Sequence, residues 1–370
     1  MLNRRAFLGA SAMAGLSGLL PAAGAAANLY GPAAGIAKLD ANENPYGPSS
    51  AALEAIQQAA AQGAYYVGPG LERLSAMILE RFSLAPENLT FSAGSSGSLS
   101  DLARAKAAEG KILGPDLFWD TTTRLALRQG GELVRVAKTE DLGVDLEALY
   151  AAITPEVSLV QICNPNNPTG MLLDHEALRD FCIRASKKCT VLVDEAYNEI
   201  TDDPDGNSMI PLIAQGHDVV VARTFSKIYG LAGLRVGYLL SQPDTGQLIR
   251  SYGIGNYTLN KAGVAAAVAS FDDEVFMRFS REKILQGREM IIDAAQQHGF
   301  KVAPSQTSFV FIDLGELNAN AMRAAMAQRG VLIRGIYQDY TGWSRVSAGL
   351  LEAVEKYCQA LPEVVAELRA

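Results

Sequence analysis

The sequence predicts an α/β protein with a mostly parallel β-sheet flanked by helices and a smaller α+β domain at the C-terminal end. Between residues 89 and 240, short apolar runs of strand length alternate with stretches of helical spacing. Strands that are apolar throughout are typical of parallel sheets that helices cover on both faces. After about residue 255 the pattern changes to a long helical stretch followed by two further strand candidates. We therefore expect a large domain and a small one.

Seven apolar runs predict the strands of the large sheet. They are LTFSAG (89–94), KILG (111–114), ELVRVA (132–137), VSLVQIC (157–163), TVLVDEA (190–196), DVVVARTFS (218–226) and LRVGYLL (234–240). In the small domain, SFVFIDL (308–314) and GVLIRG (330–335) predict two strands with a helix between them. We place the large domain at 61–255 and the small domain at 256–370.

The segment LDANENPYGPSS (39–50) is predicted to be extended, because Pro45 and Pro48 exclude a helix through it. Helix-prone residues follow at 50–62. We interpret residues 28–60 as an N-terminal arm that joins the small domain.

The first 27 residues have the pattern of an export signal. Arg4 and Arg5 form a short cationic head, apolar and small residues follow as far as Leu20, and an alanine-rich tail comes after Pro21. The apolar stretch is too short for a comfortable membrane span. Adjacent arginines in this context resemble the twin-arginine signal. Residues 1–27 are therefore expected to engage the export machinery and leave a periplasmic or otherwise exported protein; the alternative is a helix of the folded chain.

Composition and charge argue against several classes of protein. With 32 Lys and Arg against 40 Asp and Glu, the formal charge is −8, which does not suit nucleic-acid binding. Four cysteines are too few for a disulfide scaffold. The three histidines lie far apart without a neighbouring ligand, so no metal site is expected. The content of 49% hydrophobic and 19% charged residues is that of a packed globular enzyme.

Polar side chains follow the carboxyl ends of three neighbouring predicted strands. NPNNPTG (164–170) follows the fourth strand, Asp194 and Tyr197 follow the fifth, and TFSK, which ends at Lys227, follows the sixth, with Arg235 eight residues later. Each motif alone has an ordinary explanation as a turn, a helix cap or a solvated charge. Ligands of open α/β sheets bind at the carboxyl ends of strands. Together the motifs therefore indicate one ligand site.

These motifs resemble those of the fold-type I, pyridoxal-phosphate-dependent aminotransferases, specifically the class II branch around histidinol-phosphate aminotransferase. The resemblance is carried by NENPYGP (42–48), NPNNPTG (164–170), VDEAY (193–197), TFSKIYGLAGLRVGY (224–238) and RVSAG (345–349). It implies pyridoxal 5′-phosphate as cofactor. It also implies transfer of an α-amino group between an amino acid and a 2-oxo acid, with histidinol phosphate and aromatic or related amino acids as candidate substrates.

The resemblance assigns the central chemistry to four residues. Lys227 would form a Schiff base with the cofactor and later carry a proton to and from the substrate α-carbon. Asp194 would keep the pyridine nitrogen protonated, so that the ring accepts electrons. Asn167 and Tyr197 would donate hydrogen bonds to the phenolic oxygen of the cofactor. Lys227, Asp194 and Tyr197 are thus the expected catalytic residues.

The remaining cofactor contacts concern the phosphate and the ring. The resemblance implies that the phosphate is held by Arg235, Thr224, Ser226 and the backbone amides of Ser95 and Ser96 in the turn GSSG (94–97). Phe118 in DLFWD would stack on the pyridine ring, and Trp119 is its competitor.

The resemblance also implies a homodimer and a substrate site. Tyr66 matches a tyrosine that reaches the neighbouring subunit's cofactor phosphate. Arg345 would hold the substrate α-carboxylate through a bidentate guanidinium, and Arg334 resembles an arginine that helps to bind a substrate phosphate. Asn44 and Tyr46 of the NENPYGP motif are further candidate substrate contacts.

Two other functions stay open from the sequence. A decarboxylase, lyase or racemase of the same fold could use the same residues, because the cofactor labilises whichever substrate bond stands perpendicular to its ring. A noncatalytic exported binding protein is the other alternative, although a binder would not need Lys227.

Overall fold

The computed structural model describes residues 31–370. Its strands are β1 (Ala37–Leu39), β2 (Leu89–Ser92), β3 (Lys111–Pro115), β4 (Leu133–Val136), β5 (Val157–Cys163), β6 (Thr190–Asp194), β7 (Val219–Thr224), β8 (Gly237–Leu240), β9 (Lys301–Val302), β10 (Phe309–Asp313), β11 (Val331–Ile333) and β12 (Trp343–Ser347). Its α-helices are α1 (Ser50–Ala60), α2 (Pro69–Phe82), α3 (Ser95–Glu109), α4 (Thr123–Leu127), α5 (Leu146–Ala151), α6 (His175–Ala185), α7 (Ile210–Ala214), α8 (Pro243–Tyr252), α9 (Lys261–Phe271), α10 (Glu274–Gln297), α11 (Ala319–Gln328) and α12 (Leu351–Arg369).

The large sheet contains seven strands in the order β2-β8-β7-β6-β5-β3-β4. Strands β3 to β7 run parallel to one another. Strand β8 is antiparallel to both of its neighbours, β7 and β2. The connection from β7 to β8 contains only a 3-10 helix (Ala232–Leu234) and not the α-helix that usually links parallel strands, which fits this reversal. Every residue of β6 and β7 is buried. The predicted α/β fold with a mostly parallel sheet is confirmed.

The C-terminal part forms two smaller sheets. Strands β12, β10 and β9 form an antiparallel sheet, and β1 pairs in parallel with β11, with Ala37 opposite Val331. Strands β10 and β11 match the two predicted strands, whereas β1, β9 and β12 were not predicted as strands. The pairing of β1 with β11 ties the beginning of the described chain to its last hundred residues.

Residues 36–370 form one compact unit, so the bounds at 60/61 and 255/256 stay predictions. The predicted signal at 1–27 lies outside the described residues. Within residues 31–370, no helix combines the length and the apolar character that crossing a membrane requires.

Candidate active site

A cavity of about 520 Å³ lies at the carboxyl ends of β5, β6 and β7, where the sequence predicts a ligand site. The strand register brings these ends together, because Cys163 is paired with Asp194 and Asp194 with Ala222. The predicted site residues that line the cavity are Ser95, Ser96, Asn167, Asp194, Tyr197, Thr224, Ser226, Lys227, Arg235, Arg334 and Arg345.

One end of the cavity collects hydrogen-bond donors around the first turn of α3. Arg235 donates from Nη2 to the Ser96 hydroxyl (3.0 Å) and from Nη1 to the Ser226 hydroxyl (3.4 Å). The Thr224 hydroxyl donates to that of Ser226 at 2.9 Å. The first backbone amides of a helix have no partner within the helix and favour an anion there. A guanidinium, three hydroxyls and a helix N-terminus are a donor set that fits a phosphate dianion.

Gly237 allows β8 to pack directly against the start of α3. A Cβ atom at position 237 would lie 2.1 Å from the backbone nitrogen of Ser95, a distance at which atoms overlap. Only glycine therefore lets β8 pass so close to the start of α3.

The cavity also holds a carboxylate and an amine. Asp194 is 4% exposed, and burial raises its pKa to about 6 although the Ala196 N–H and Lys227 act in the opposite direction. Burial, followed by the charge of Arg345, lowers the pKa of Lys227 to about 8. Near neutral pH Asp194 is therefore mostly ionised, and a usable fraction of Lys227 is a neutral, nucleophilic amine.

A hydrogen-bond network links Lys227 to Tyr197 through the N-terminal arm. Lys227 Nζ donates to the backbone oxygen of Asn42 (3.1 Å), and Asn42 Nδ2 donates to the Tyr197 hydroxyl (2.8 Å). Asn167 Nδ2 approaches the same hydroxyl at 3.4 Å. Burial raises the pKa of Tyr197, so it is a phenol that can donate its own proton to a ligand.

Two arginines face the same cavity from the C-terminal sheets. Arg345 is 7% exposed and donates from Nη1 to Asn167 Oδ1 at 2.9 Å, while its Nε has no hydrogen-bond partner among residues 31–370. The backbone N–H of Arg334 donates to the Arg345 carbonyl at 3.0 Å, which holds the two residues side by side. The Arg334 side chain is exposed. Two neighbouring cations, one buried and one exposed, suit an anionic ligand.

The structure corrects the prediction for Asn44 and Tyr46, which do not line the cavity. Asn44 Nδ2 donates to the Ile228 carbonyl (2.6 Å), and the Tyr46 hydroxyl accepts from the Leu351 N–H (3.0 Å). The arm instead contributes Asp40, Ala41, Asn42 and Glu43 to the lining. Sequence analysis identified the motif but selected its later residues, which the turn at the prolines directs away from the cavity.

The structure also corrects the prediction for Phe118. Its ring is fully buried against Gly114, where a Cβ would lie 3.0 Å from ring atoms, and Trp119 lines the cavity in its place. The side chains of adjacent loop residues point to different sides of the chain, so the sequence alone does not show which of the two aromatic residues lines the cavity. Cys163, the last residue of β5, is a further lining residue that sequence analysis missed.

Tyr66 lies outside the cavity of its own chain. Its side chain is 80% exposed and meets Tyr257 edge-on, with the ring centroids 5.7 Å apart. Its contact with a neighbouring subunit stays a prediction. Two larger cavities, of about 1070 and 940 Å³, contain neither Lys227 nor Asp194.

Comparison with known proteins agrees with this fold. Residues 34–361 match the aminotransferase class I and II family, and the chain belongs to that family. It is 34% identical to histidinol-phosphate aminotransferase 1 of Cupriavidus pinatubonensis, over 89% of this chain and 88% of that protein. It is also 34% identical to an aromatic amino acid aminotransferase of Thermobifida fusca, over 87% of this chain and 88% of that protein.

A solved structure gives the same result. The crystal structure of histidinol-phosphate aminotransferase from Sinorhizobium meliloti, in complex with pyridoxal 5′-phosphate, superposes with a TM-score of 0.82 at 32% identity, covering 90% of this chain and 92% of that one. The chain is a pyridoxal-phosphate-dependent aminotransferase. This activity is favoured over the decarboxylase, lyase or racemase and over the noncatalytic binding protein.

Proposed function

We propose that this aminotransferase takes the amino group of histidinol phosphate, or of a closely similar amino phosphate, and passes it to a 2-oxo dicarboxylic acid. The observation that carries the proposal is the pair of neighbouring residues Arg334 and Arg345 in the cavity lining. No hydrogen bond or ion pair occupies the Arg334 guanidinium among residues 31–370. A phosphate dianion or a second carboxylate would neutralise both cations, whereas an aromatic amino acid brings only one anionic group.

The donor set at the first turn of α3 supports Arg235, Ser95, Ser96, Thr224 and Ser226 as the residues that hold the phosphate of pyridoxal 5′-phosphate. The position of Trp119 in the lining supports its ring, rather than that of Phe118, as the one that stacks on the pyridine. When bound, the cofactor supplies an aldehyde that links to amines and a ring that accepts electrons.

Four residues of the cavity lining share the proton chemistry. Lys227 binds the cofactor aldehyde through its neutral amine and, once displaced, accepts the proton from the substrate α-carbon. Asp194 holds a proton on the pyridine nitrogen as a buried anion, and Tyr197 and Asn167 donate to the phenolic oxygen. Arg345 orients the substrate through an anionic group.

A screen of amino donors in the first half-reaction tests the substrate. Purified enzyme loaded with pyridoxal 5′-phosphate is mixed with histidinol phosphate, glutamate, phenylalanine or tyrosine, and the loss of its visible absorbance is followed. We expect histidinol phosphate to give the highest kcat/KM among the donors other than glutamate. A higher value for an aromatic amino acid would instead favour the second candidate function, aromatic amino acid transamination.

The Arg334→Gln variant sharpens this test. Losing a charge-assisted contact should lower kcat/KM for histidinol phosphate by about 10- to 100-fold and leave that for phenylalanine within about threefold. The matched control is Arg323→Gln, since Arg323 is exposed and lies outside the cavity lining. Equal losses for both donors would contradict the proposed role of Arg334.

We also propose that the enzyme is a homodimer. Tyr66 and Tyr257, which are 80% and 78% exposed, form an aromatic surface near the 74% exposed Ile254, and such surfaces on soluble proteins are often interfaces. Mixing Tyr66→Ala chains with Lys227→Ala chains should restore activity, because each hybrid dimer keeps one complete site. A monomer in light scattering, or no restoration, would contradict the proposal.

Export by the twin-arginine route stays a proposal that rests on Arg4 and Arg5 in the sequence. Fusion to a reporter that functions only outside the cytoplasm tests it. Changing both arginines to lysine should abolish the reporter signal, and unchanged export would rule out this route.

A further inference from the structure

A cluster of buried charges lies next to the strand ends that border the candidate active site. Its Arg223 and Glu199 line the separate cavity of about 940 Å³ and not the candidate active site. Arg223 Nη2 lies 2.7 Å from Glu195 Oε2, and Arg223 Nη1 donates to Glu199 Oε1 at 2.8 Å. Glu195 is fully buried and Arg223 is 5% exposed. The charged state of Arg223 is secure, because Glu195 and Glu199 together outweigh the opposing effect of burial and raise its pKa.

Chain connectivity links this cluster to the residues of the site. Glu195 directly follows Asp194 at the end of β6, and Arg223 directly precedes Thr224 at the end of β7. Because successive residues of an extended strand point to opposite faces, Arg223 faces away from the cavity that Thr224 lines. The ion pair therefore joins the two strand ends from which Asp194 and the segment to Lys227 extend.

The Glu195 carboxylate has partners on several sides. Besides Arg223 it accepts hydrogen bonds from the Ser208 hydroxyl (2.9 Å) and the Met209 N–H (2.7 Å). A carboxylate with partners in three directions has little freedom to rotate or shift. The pair is thus a rigid connection between the strands.

Stability alone does not account for such a pair. Desolvating two charges costs about as much as their attraction returns, and apolar pairs of similar size are often equally or more stable in the same place. The Nε of Arg223 also lacks a partner among residues 31–370, which adds to the cost. Charged groups in this position need an explanation other than folding energy.

We infer that Glu195 and Arg223 are positioning residues that set the spacing between the ends of β6 and β7, so that Asp194 and Lys227 keep the separation that their proposed roles at one cofactor require. The inference rests on the proposed roles of Asp194 and Lys227. The charge of Glu195 itself raises the pKa of Asp194, although burial has the larger effect. Arg223, whose Nη2 lies 2.7 Å from Glu195 Oε2, offsets this neighbouring charge.

The chain offers a matched control at the other end of the same two strands. The Thr190 hydroxyl, at the start of β6, donates to Asp218 Oδ2 at 2.6 Å, and Asp218 directly precedes β7. This bond also joins β6 to β7, but at the amino ends of the strands. Losing the bond at the amino ends should affect stability alone, whereas an effect on the cofactor should occur only at the carboxyl ends.

The test compares the double variant Glu195→Gln/Arg223→Met with Thr190→Val. Three quantities are measured: the Tm of the apoprotein, the Kd for pyridoxal 5′-phosphate, and the apparent pKa at which the visible absorbance of the bound cofactor changes. We expect the double variant to bind the cofactor about tenfold more weakly, with a shifted apparent pKa, as is usual when a group that orients a ligand-binding residue is lost. Thr190→Val should lower Tm alone.

Two results would overturn the inference: an unchanged Kd and apparent pKa in the double variant, or the same changes in Thr190→Val. If the double variant does not fold, the single variant Glu195→Gln is judged by the same criteria. Arg223→Lys, which keeps the positive charge, should then retain part of the cofactor affinity that Glu195→Gln loses. Borohydride reduction of the wild-type holoenzyme tests the proposed roles separately. If the cofactor is not found attached to Lys227, the proposed role of Lys227 is refuted, whereas the positioning pair is judged by the two variants.

Discussion

The two halves of the cavity are built in different ways. The cofactor half takes Asp194, Thr224 and Lys227 from the ends of neighbouring parallel strands in one sheet. The substrate half takes Asn42 from the N-terminal arm and Arg345 from a strand near the other end of the chain, 303 residues later by residue number (345 − 42). The first half is therefore fixed by local chain geometry and the second by long-range assembly. Changes in the first half should affect every substrate alike, and changes in the second should discriminate among substrates.

The largest expected effect is that of Lys227→Ala. Losing the amine removes both the covalent attachment of the cofactor and the proton carrier, so kcat should fall by a factor on the order of 10⁴ or more with every donor. Stopped-flow absorbance of single half-reactions measures this fall. Lys188→Ala, at an exposed lysine, is the control. A variant that retained activity with one donor and not another would break the division between the halves.

Asp194→Asn should have the next largest effect. A neutral amide does not hold a proton on the pyridine nitrogen, and the loss of a preorganised charge of this kind costs on the order of 10²- to 10³-fold in kcat. The factor should be the same for histidinol phosphate, glutamate and phenylalanine. Steady-state kinetics with all three donors would reveal a substrate-dependent factor, which would contradict the assignment of Asp194 to the cofactor half.

The pH dependence of cofactor attachment provides a smaller, graded effect. Because burial and Arg345 hold the pKa of Lys227 near 8, the neutral amine increases as the pH rises through that value. The rate at which apoprotein takes up pyridoxal 5′-phosphate should therefore rise about tenfold between roughly pH 7 and pH 9 and then level off. Stopped-flow absorbance at constant ionic strength measures this rate. A rise centred near the ordinary lysine pKa would show that the site does not perturb Lys227.

Asn42 connects the two halves of the cavity, and its replacement by alanine should have the smallest effect. Its side chain donates to the Tyr197 hydroxyl (2.8 Å) and accepts from the Ser347 hydroxyl (2.8 Å). Its removal should lower the free energy of unfolding by about 1–3 kcal/mol and kcat/KM by a few-fold. Denaturant unfolding and steady-state kinetics measure the two effects.

Asn44→Ala is the matched control for this variant. It lies on the same arm and is equally buried, but it binds the Ile228 carbonyl outside the cavity. It should lower stability to a similar degree and leave kcat/KM unchanged. A kinetic effect as large as that of Asn42→Ala would mean that the arm acts only through overall stability.

The difference between the cofactor half and the substrate half also explains which residues could be predicted from the sequence. Residues such as Asp194 and Lys227 follow strongly apolar strands, and the parallel topology necessarily brings such strand ends together. The choice between Phe118 and Trp119, or between Asn42 and Asn44, depends on how a loop turns by one or two residues, and no local pattern determines that. Strand β12, which carries Arg345, was missed because its alternating polar residues are buried only by the completed fold.

The pairing of β1 with β11 has a consequence for biosynthesis. Asp40 and Asn42 leave the ribosome early, whereas Arg345, which donates to the Asp40 carbonyl, and Ser347, which donates to Asn42 Oδ1, are added 305 residues later in each case. A contact cannot form before both of its residues have been synthesised, and closing a loop of this length carries an entropic cost. The strands that end at Asp194 and Thr224 are thus synthesised before the strand that carries Arg345, so the residues proposed to hold the cofactor precede the residue proposed to orient the substrate.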